Sequence, residues 1–391
     1  MILAGFAAFL DLYATQPLLP LLGRTFRAST FDVGLTITAP TIAVAMAAPG
    51  IGRLADALGL RRIIIASAVL LTAATGLAAT SANLHQLIFW RFMQGVATPG
   101  IFASTVAYIH EMWPPSHAGR TTAAYMAGTV VGGFVGRAVA GVIAAEASWR
   151  ASFGALAVLN AAVAVALWMW LPREQRSSAP RAAVKRRNIR AGSVARLLRN
   201  RPLVATFGVG FSMLFTQVAM FTYVTFHLAA PPFNLSTVAL GWLFAVYLVG
   251  AVVTPISGRW IDRYGHRTGI GSAMAIGGTG ALLTLVPWLP AIVAGLALSA
   301  TGVFVAQATS SSYIGAVTTA DRGLAVGMYS TFYYAGGSLG GALPSAVWRM
   351  GGWPACVALV VLVQGVGLAV ALTQWERAAG PPWPAVPSSS V

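Results

Sequence analysis

Apolar residues in this chain run in blocks of about twenty or more, divided by short polar turns. Helices of that length cross a bilayer core of about 30 Å. The pattern predicts twelve spans, near 1–22, 32–51, 62–81, 87–109, 121–144, 151–171, 203–228, 237–257, 268–288, 291–315, 324–346 and 354–374. The long polar stretch 172–202 divides them six and six. The expected fold is an all-α membrane protein of two pseudo-symmetric six-helix bundles, 1–171 and 203–378. The tail 379–391, rich in Pro and Ser, is expected to be disordered.

The two halves repeat. Gly52, Asp56, Gly59 and Arg61 recur as Gly258, Asp262, Gly265 and Arg267, each offset by 206 residues. Gly132-Gly133, Tyr125 and Trp149 recur 204 residues on as Gly336-Gly337, Tyr329 and Trp353. Internal repeats of this length mark transporters far more often than enzymes or channels.

Composition sharpens this picture. Only 9% of the 391 residues are charged and 57% are hydrophobic, which leaves no room for a soluble domain. The net charge of +16 reflects topology rather than nucleic-acid binding. With both termini cytoplasmic, 19 of the 25 basic residues fall in cytoplasmic loops, ten of them in the linker from Arg173 to Arg201. The linker's second part, 192–200, reads as a short surface helix, either a lipid anchor or a tolerant connection. No cleavable leader is expected. The chain opens within the first span, and an upstream start is a candidate explanation. The lone Cys356 excludes an internal disulfide, and the five histidines show no metal-ligand spacing. No Gly-rich phosphate loop is present, so ATP is not expected to supply energy. No metal or cofactor is expected.

These motifs together resemble the major facilitator superfamily. The loop from Gly52 through Asp56 and Gly59 to Arg61-Arg62 is close to that family's loop between spans two and three, and its degenerate copy falls between spans eight and nine. Leu87, Arg91, Gln94 and Gly95 resemble its span-four motif. Tyr13-x-x-Gln16-Pro17-Leu-Leu-Pro20, Gly132-Gly133-x-x-Gly136-Arg137 and the stretch Tyr329 to Gly337 resemble the bacterial YnfM-type, acriflavine-sensitivity-like branch of efflux permeases. The resemblance implies export of small molecules. Span five lacks the Gly-Pro pair that proton-coupled drug exporters of the family carry.

Three expectations follow for chemistry. First, the Gly52–Arg62 loop and its copy at Gly258, Asp262, Gly265 and Arg267 form a cytoplasmic latch between the halves. Glycines permit tight turns and close approach, Asp56 can accept N–H bonds at a helix start, and Arg61 and Arg62 can meet acids or helix-end carbonyls.

Second, Asp11 is the acid that lies well inside a span, where a charge costs about 2.5–3.5 kcal/mol and needs a partner or a task. At about 1.5 Å per residue, Asp11, Arg91 and Arg137 all fall in the outer half of the first bundle. A buried carboxylate whose hydration and cation distance change between states can carry a proton. Arg91 and Arg137 are the available cations, and Asp11 is read as the proton site with Arg91 as its modulator. The alternative is a static buried ion pair.

Third, Gly128, Gly132 and Gly136, with Gly336 and Gly340, are spaced for close helix contact. In the family's fold they would be sliding surfaces between halves, or plain packing within one. That fold also implies a substrate cavity lined by Tyr13, Gln16, Gln94, Phe215, Gln217, Phe221, Tyr223 and Gln307, with Tyr329 and Tyr333.

The combined reading is a secondary transporter, monomeric, in a bacterial inner membrane. It exports a small organic compound against proton entry by alternating access, with lipids as its surroundings. Uptake of a metabolite or small anion is the alternative, and a sensor without flux a more distant one.

Overall fold

Polar residues at the ends of the apolar blocks become helix caps. In a computed structural model, which describes residues 1–172, 191–318 and 322–375, Ser29 and Asp32 form a capping box. Asn83, Ser148, Asn200 and Ser236 each accept from the N–H three residues on. Between caps the backbone satisfies itself helically, as a bilayer requires. No strand occurs among the described residues.

Twelve spanning elements result. Span one comprises Ile2–Leu10, the 3-10 turn Gln16–Leu18 and Leu19–Phe26. Spans two to six are Thr30–Leu58, Leu60–Ala79, Leu84–Met112, Pro115–Glu146 and Trp149–Trp170. Span seven is Arg201–Ala229. Span eight runs as Thr237–Leu243, the 3-10 segment Phe244–Leu248 and Val249–Tyr264. Spans nine to twelve are His266–Leu283, Leu289–Val317, Arg322–Ala342 and Pro344–Gln374, the last kinked at Gly351-Gly352.

Eight of these helices are long and apolar enough to cross a membrane by themselves. The other four fall short for visible reasons. Span one is divided, span four holds Arg91 and two glutamines, and spans nine and eleven are diluted by Gly, Ser and Thr.

The halves share one plan. Span one packs on five as seven packs on eleven. Span three packs on four and six as nine packs on ten and twelve. The duplicated loops shrink to a single glycine each: Gly59 (φ 93°) joins spans two and three, and Gly265 (φ 83°) joins eight and nine. Only glycine adopts that backbone without strain.

The continuous span expected at 1–22 is corrected. Pro17 and Pro20 carry no N–H, so an α-helix could not close onto the carbonyls of Tyr13 and Gln16. Tighter turns replace it, with Gln16 N–H on Tyr13 O at 3.0 Å and Leu19 N–H on Gln16 O. The helix is thus interrupted from Asp11 to Thr15 and resumes to Phe26.

The surface helix expected near 192–200 spans Ala191–Arg199, with Leu197 buried against Phe207 and Ile314. The rest of the basic linker, 173–190, and the tail 379–391 lie outside the described residues.

One membrane face carries the Gly59 and Gly265 turns and most of the arginines; we term it the basic face. The halves meet on the opposite face. There a Cβ on Gly34 would lie 2.9 Å from Gly341 O, and one on Gly141 would lie 3.0 Å from Gly241 Cα. Thr38 donates to Ser338 O at 3.0 Å and Ser338 to Thr41 at 3.1 Å, closing spans two and eleven. On the basic face Leu58 and Tyr264, equivalent by the repeat, are half-exposed.

Candidate functional site

The interruption of span one creates the first site. Freed of α-helical pairing, its carbonyls meet a buried guanidinium from span four. Arg91 Nη1 donates to Asp11 O at 2.7 Å and Nη2 to Leu12 O at 2.6 Å. Nε donates to Thr36 O at 2.9 Å, and Nη1 also to Gln94 Oε1 at 2.6 Å. A fixed fork of donors suits several acceptors at once. Arg91 therefore stitches spans one, two and four.

The Asp11 side chain points elsewhere. Its Oδ2 accepts from Thr75 Oγ1 at 3.0 Å and from Asn160 Nδ2, while Oδ1 has no hydrogen-bond partner. Gln94 Nε2 donates to Thr75 Oγ1 at 2.8 Å, closing a polar ring from Asp11 through Thr75, Gln94 and Arg91 back to the Asp11 backbone. The static Asp11–Arg91 ion pair, the alternative reading of these charges, is not formed here: neither carboxylate oxygen of Asp11 bonds the guanidinium. The arginine's donors go instead to the carbonyls of Asp11 and Leu12, which the interrupted helix exposes, to Thr36 O, which Pro40 leaves without a helical N–H, and to Gln94.

Arg137 forms a second site and is likewise corrected as a partner of Asp11. It lies between the halves, 4% exposed, with Nε donating to Gln16 Oε1 at 2.8 Å and Nη1 to Gly133 O. Its guanidinium carbon sits 5.0 Å from the Tyr13 ring centroid and 4.8 Å from those of Phe244 and Tyr247. Side chains three apart eclipse on a 3-10 helix. The 3-10 segment of span eight thus stacks Phe244 on Tyr247 and turns both rings to the arginine. Gln16 Nε2 continues across to Thr222 Oγ1 in span seven at 3.2 Å.

Other residues expected at a cavity divide. Phe221 joins the second site, 4.4 Å from the Tyr247 ring, and Gln217 borders the Tyr247 hydroxyl. Tyr329 and Tyr333 stack at 6.0 Å, and the Tyr329 hydroxyl and Gln307 Oε1 are buried without partners. Phe215 and Tyr223 are corrected to packing roles. Phe215 stacks on Phe211 in the core of the second half, and the Tyr223 hydroxyl donates to Gly341 O at 3.0 Å near the seal.

Of the two readings of the glycine ladders, the contacts are those of packing within a half rather than of sliding surfaces. Gly128, Gly132 and Gly136 abut the backbone of span one at Ile2, Phe6 and Leu10. Gly336 and Gly340 abut Phe211 and Phe215 of span seven. Both contacts lie within a half. The small-residue contacts between halves are Gly34 with Gly341 and Gly141 with Gly241.

On the basic face Arg61 donates to Leu171 O at 2.9 Å and Trp168 O at 2.8 Å, and Arg267 to Trp375 O at 2.9 Å. Each caps the last helix of its own half, where carbonyls lack helical partners. Arg62 and Asp262 are exposed. Gly52 and Gly258 are helical with nothing within 4 Å of an added Cβ, so the close approach expected of them is absent in this state. The Asp56 side chain lies outside the described residues.

Sequence reasoning missed Asn160, Thr75, Phe244 and Tyr247. Asn160 carried a usable signal, an amide inside an otherwise apolar helix. The aromatics carried none.

Comparison with known proteins agrees with this architecture. The family model described as Major Facilitator Superfamily matches residues 1–236 and 228–388. The chain is 28% identical over 365 residues to the uncharacterized MFS-type transporter YybF of Bacillus subtilis, covering 93% of this chain and 90% of that one. It is 29% identical over 369 residues to the inner membrane transport protein YnfM of Escherichia coli, covering 94% and 87%. Among solved structures, a bacterial homologue of the human lysosomal transporter Spinster, in an inward-facing and unoccupied conformation, superimposes with a TM-score of 0.73. That match has 14% identity and covers 95% of this chain and 93% of the other, and so speaks for the fold. A multi-pass, twelve-span chain with two equivalent halves and this family match belongs to the Major Facilitator Superfamily of transporters.

Proposed function

We propose that this transporter exports a small organic compound across the bacterial inner membrane, driven by proton entry through Asp11. The observation that carries the reading is the buried Asp11 carboxyl beside an interrupted helix, with one oxygen lacking a partner. A carboxyl placed there gains a proton or loses one as its surroundings change between states. The interruption gives span one a place to flex, since 3-10 stretches inside longer helices often mark hinges.

With both termini in the cytoplasm, the basic face is the inner face, as the arginine distribution supports. The seal between Gly34 and Gly341 and between Gly141 and Gly241 then closes the outer side, so this is the inward-facing state. Rocking the halves exchanges that seal for one on the basic face. There the Asp56 loop and its copy act as the latch. Outward, Asp11 takes a proton; inward, it releases one. Export rather than uptake follows the resemblance of Tyr13–Pro20 and Gly132–Arg137 to the efflux branch.

The test compares small molecules in medium and cells when wild type or Asp11→Asn is overexpressed at matched level. Wild type should enrich at least one solute in the medium, and Asp11→Asn should remove most of that enrichment. Equal enrichment by the variant would take Asp11 out of the mechanism, and enrichment inside the cells would reverse the direction.

A further inference from the structure

We infer that Arg137, buried between the halves under the outer seal, meets the charge of a transported organic anion, a carboxylate on an apolar or aromatic body. The inference deepens the export reading and rests on it for the solute's direction. Among the described side chains of the first half, the buried charged groups are Asp11, Arg91 and Arg137. Arg91 spends its donors on three carbonyls and an amide, and Asp11 accepts from a hydroxyl and an amide. Neither neutralises Arg137.

Among the described residues no carboxylate bonds the Arg137 guanidinium. Its Nε and Nη1 are taken by Gln16 and Gly133, and Nη2 donates to no group among the described residues. The rings of Tyr13, Phe244 and Tyr247 stabilise a cation by about 0.5–2 kcal/mol apiece without cancelling its charge. Removed from water, such a group demands an opposite charge or serves a ligand that brings one. A guanidinium's planar fork matches a carboxylate, and the rings offer the solute's body apolar faces.

The location fits a transported solute. Arg137 lies one helical turn below Gly141, whose contact with Gly241 closes spans five and eight. Its ligands come from both halves, Tyr13 and Gln16 from one, Phe244 and Tyr247 from the other. A carboxylate that engages Nη2 therefore touches the boundary that must open.

The test is a thermal-shift and calorimetric comparison on purified full-length protein in detergent. Ten aromatic and aliphatic monocarboxylates, 2-naphthoate among them, are matched skeleton by skeleton with their primary amides and amines. The carboxylate arm should contain the stabilising compounds, binding about tenfold or more tighter than the matched amides. Arg137→Gln should bring that ratio to about one, and Arg137→Lys should restore part of it. Arg137→Gln gives up two hydrogen bonds and three ring contacts but also relieves a buried charge that no described carboxylate neutralises, so the unliganded variant should melt within about 4 °C of wild type.

Preference for amides or amines, no stabilisation by any carboxylate, or an anion preference that survives Arg137→Gln would overturn the inference. So would a fall of more than about 4 °C in the melting temperature of unliganded Arg137→Gln, which would assign the residue to structure. Binding is read without a gradient. It can therefore fail while Asp11-dependent export stands, and hold while that export fails.

Discussion

Arg91→Leu should yield little folded protein. The guanidinium is fully buried and serves four acceptors on spans one, two and four. Leucine fills similar space but leaves the carbonyls of Asp11, Leu12 and Thr36 short of donors. Truncating a hydrogen-bonded buried charge typically costs about 3–5 kcal/mol, a large share of the roughly 5–15 kcal/mol that holds a domain together. The loss should be local in origin and global in effect, because the interrupted segment of span one has no α-helical pairing to fall back on. Arg91→Lys should recover only part of it. Its ammonium is a point donor and cannot reach three carbonyls and an amide in the geometry of a fork. Thermal melting of protein purified from equal membrane amounts reads the effect. A leucine variant within about 2 °C of wild type would show that the interruption supports itself.

Gly136→Val should be the second severe change. A Cβ at this position would fall on Leu10 O, far inside any permitted contact, and the neighbour is backbone that cannot swing away. Span five would have to move off span one along the whole ladder that Gly128 and Gly132 share. Overpacking a close contact costs about 1–3 kcal/mol and occasionally more, and the Leu10 it would strike immediately precedes Asp11. Melting temperature and yield should both fall, and any remaining transport should be impaired. Gly154→Val is the control, since nothing lies within 4 Å of its added Cβ. If both variants behave alike, the ladder is not a close contact in the membrane.

How much of this could be read from the chain depends on what hydropathy measures. It reports the cost of placing a segment in lipid, and on that basis the spans, the repeat and the charged outliers Asp11, Arg91 and Arg137 were all legible. The turns at Gly59 and Gly265 were legible too, because a one-residue link between helices has few chemical solutions. Hydropathy does not report direction. Charge spacing brought Asp11 and Arg91 together, but it could not say that the arginine would choose the aspartate's carbonyl over its carboxylate. That choice follows from the interruption of span one, which leaves the Asp11 and Leu12 carbonyls without α-helical donors, and from Pro40, which lacks the N–H that would pair Thr36 O. The cage around Arg137 needed the 3-10 segment that aligns Phe244 with Tyr247, and no periodicity at that point announces it. The glycine ladders were visible as spacing while their partners, spans one and seven, were not.

The central claim is that protonation of Asp11 sets the balance between two arrangements of equivalent halves. Spin labels at Leu58→Cys and Tyr264→Cys, in a Cys356→Ser background, place one reporter on the basic face of each half. Their distance distribution is measured in lipid from pH 5 to pH 8, with wild-type Asp11 and with Asp11→Asn. The account predicts two distances whose populations shift with pH by up to about tenfold per unit for one linked proton, and a distribution that no longer responds to pH once Asp11 is asparagine. An identical pH response in both proteins, or none in either, would contradict it.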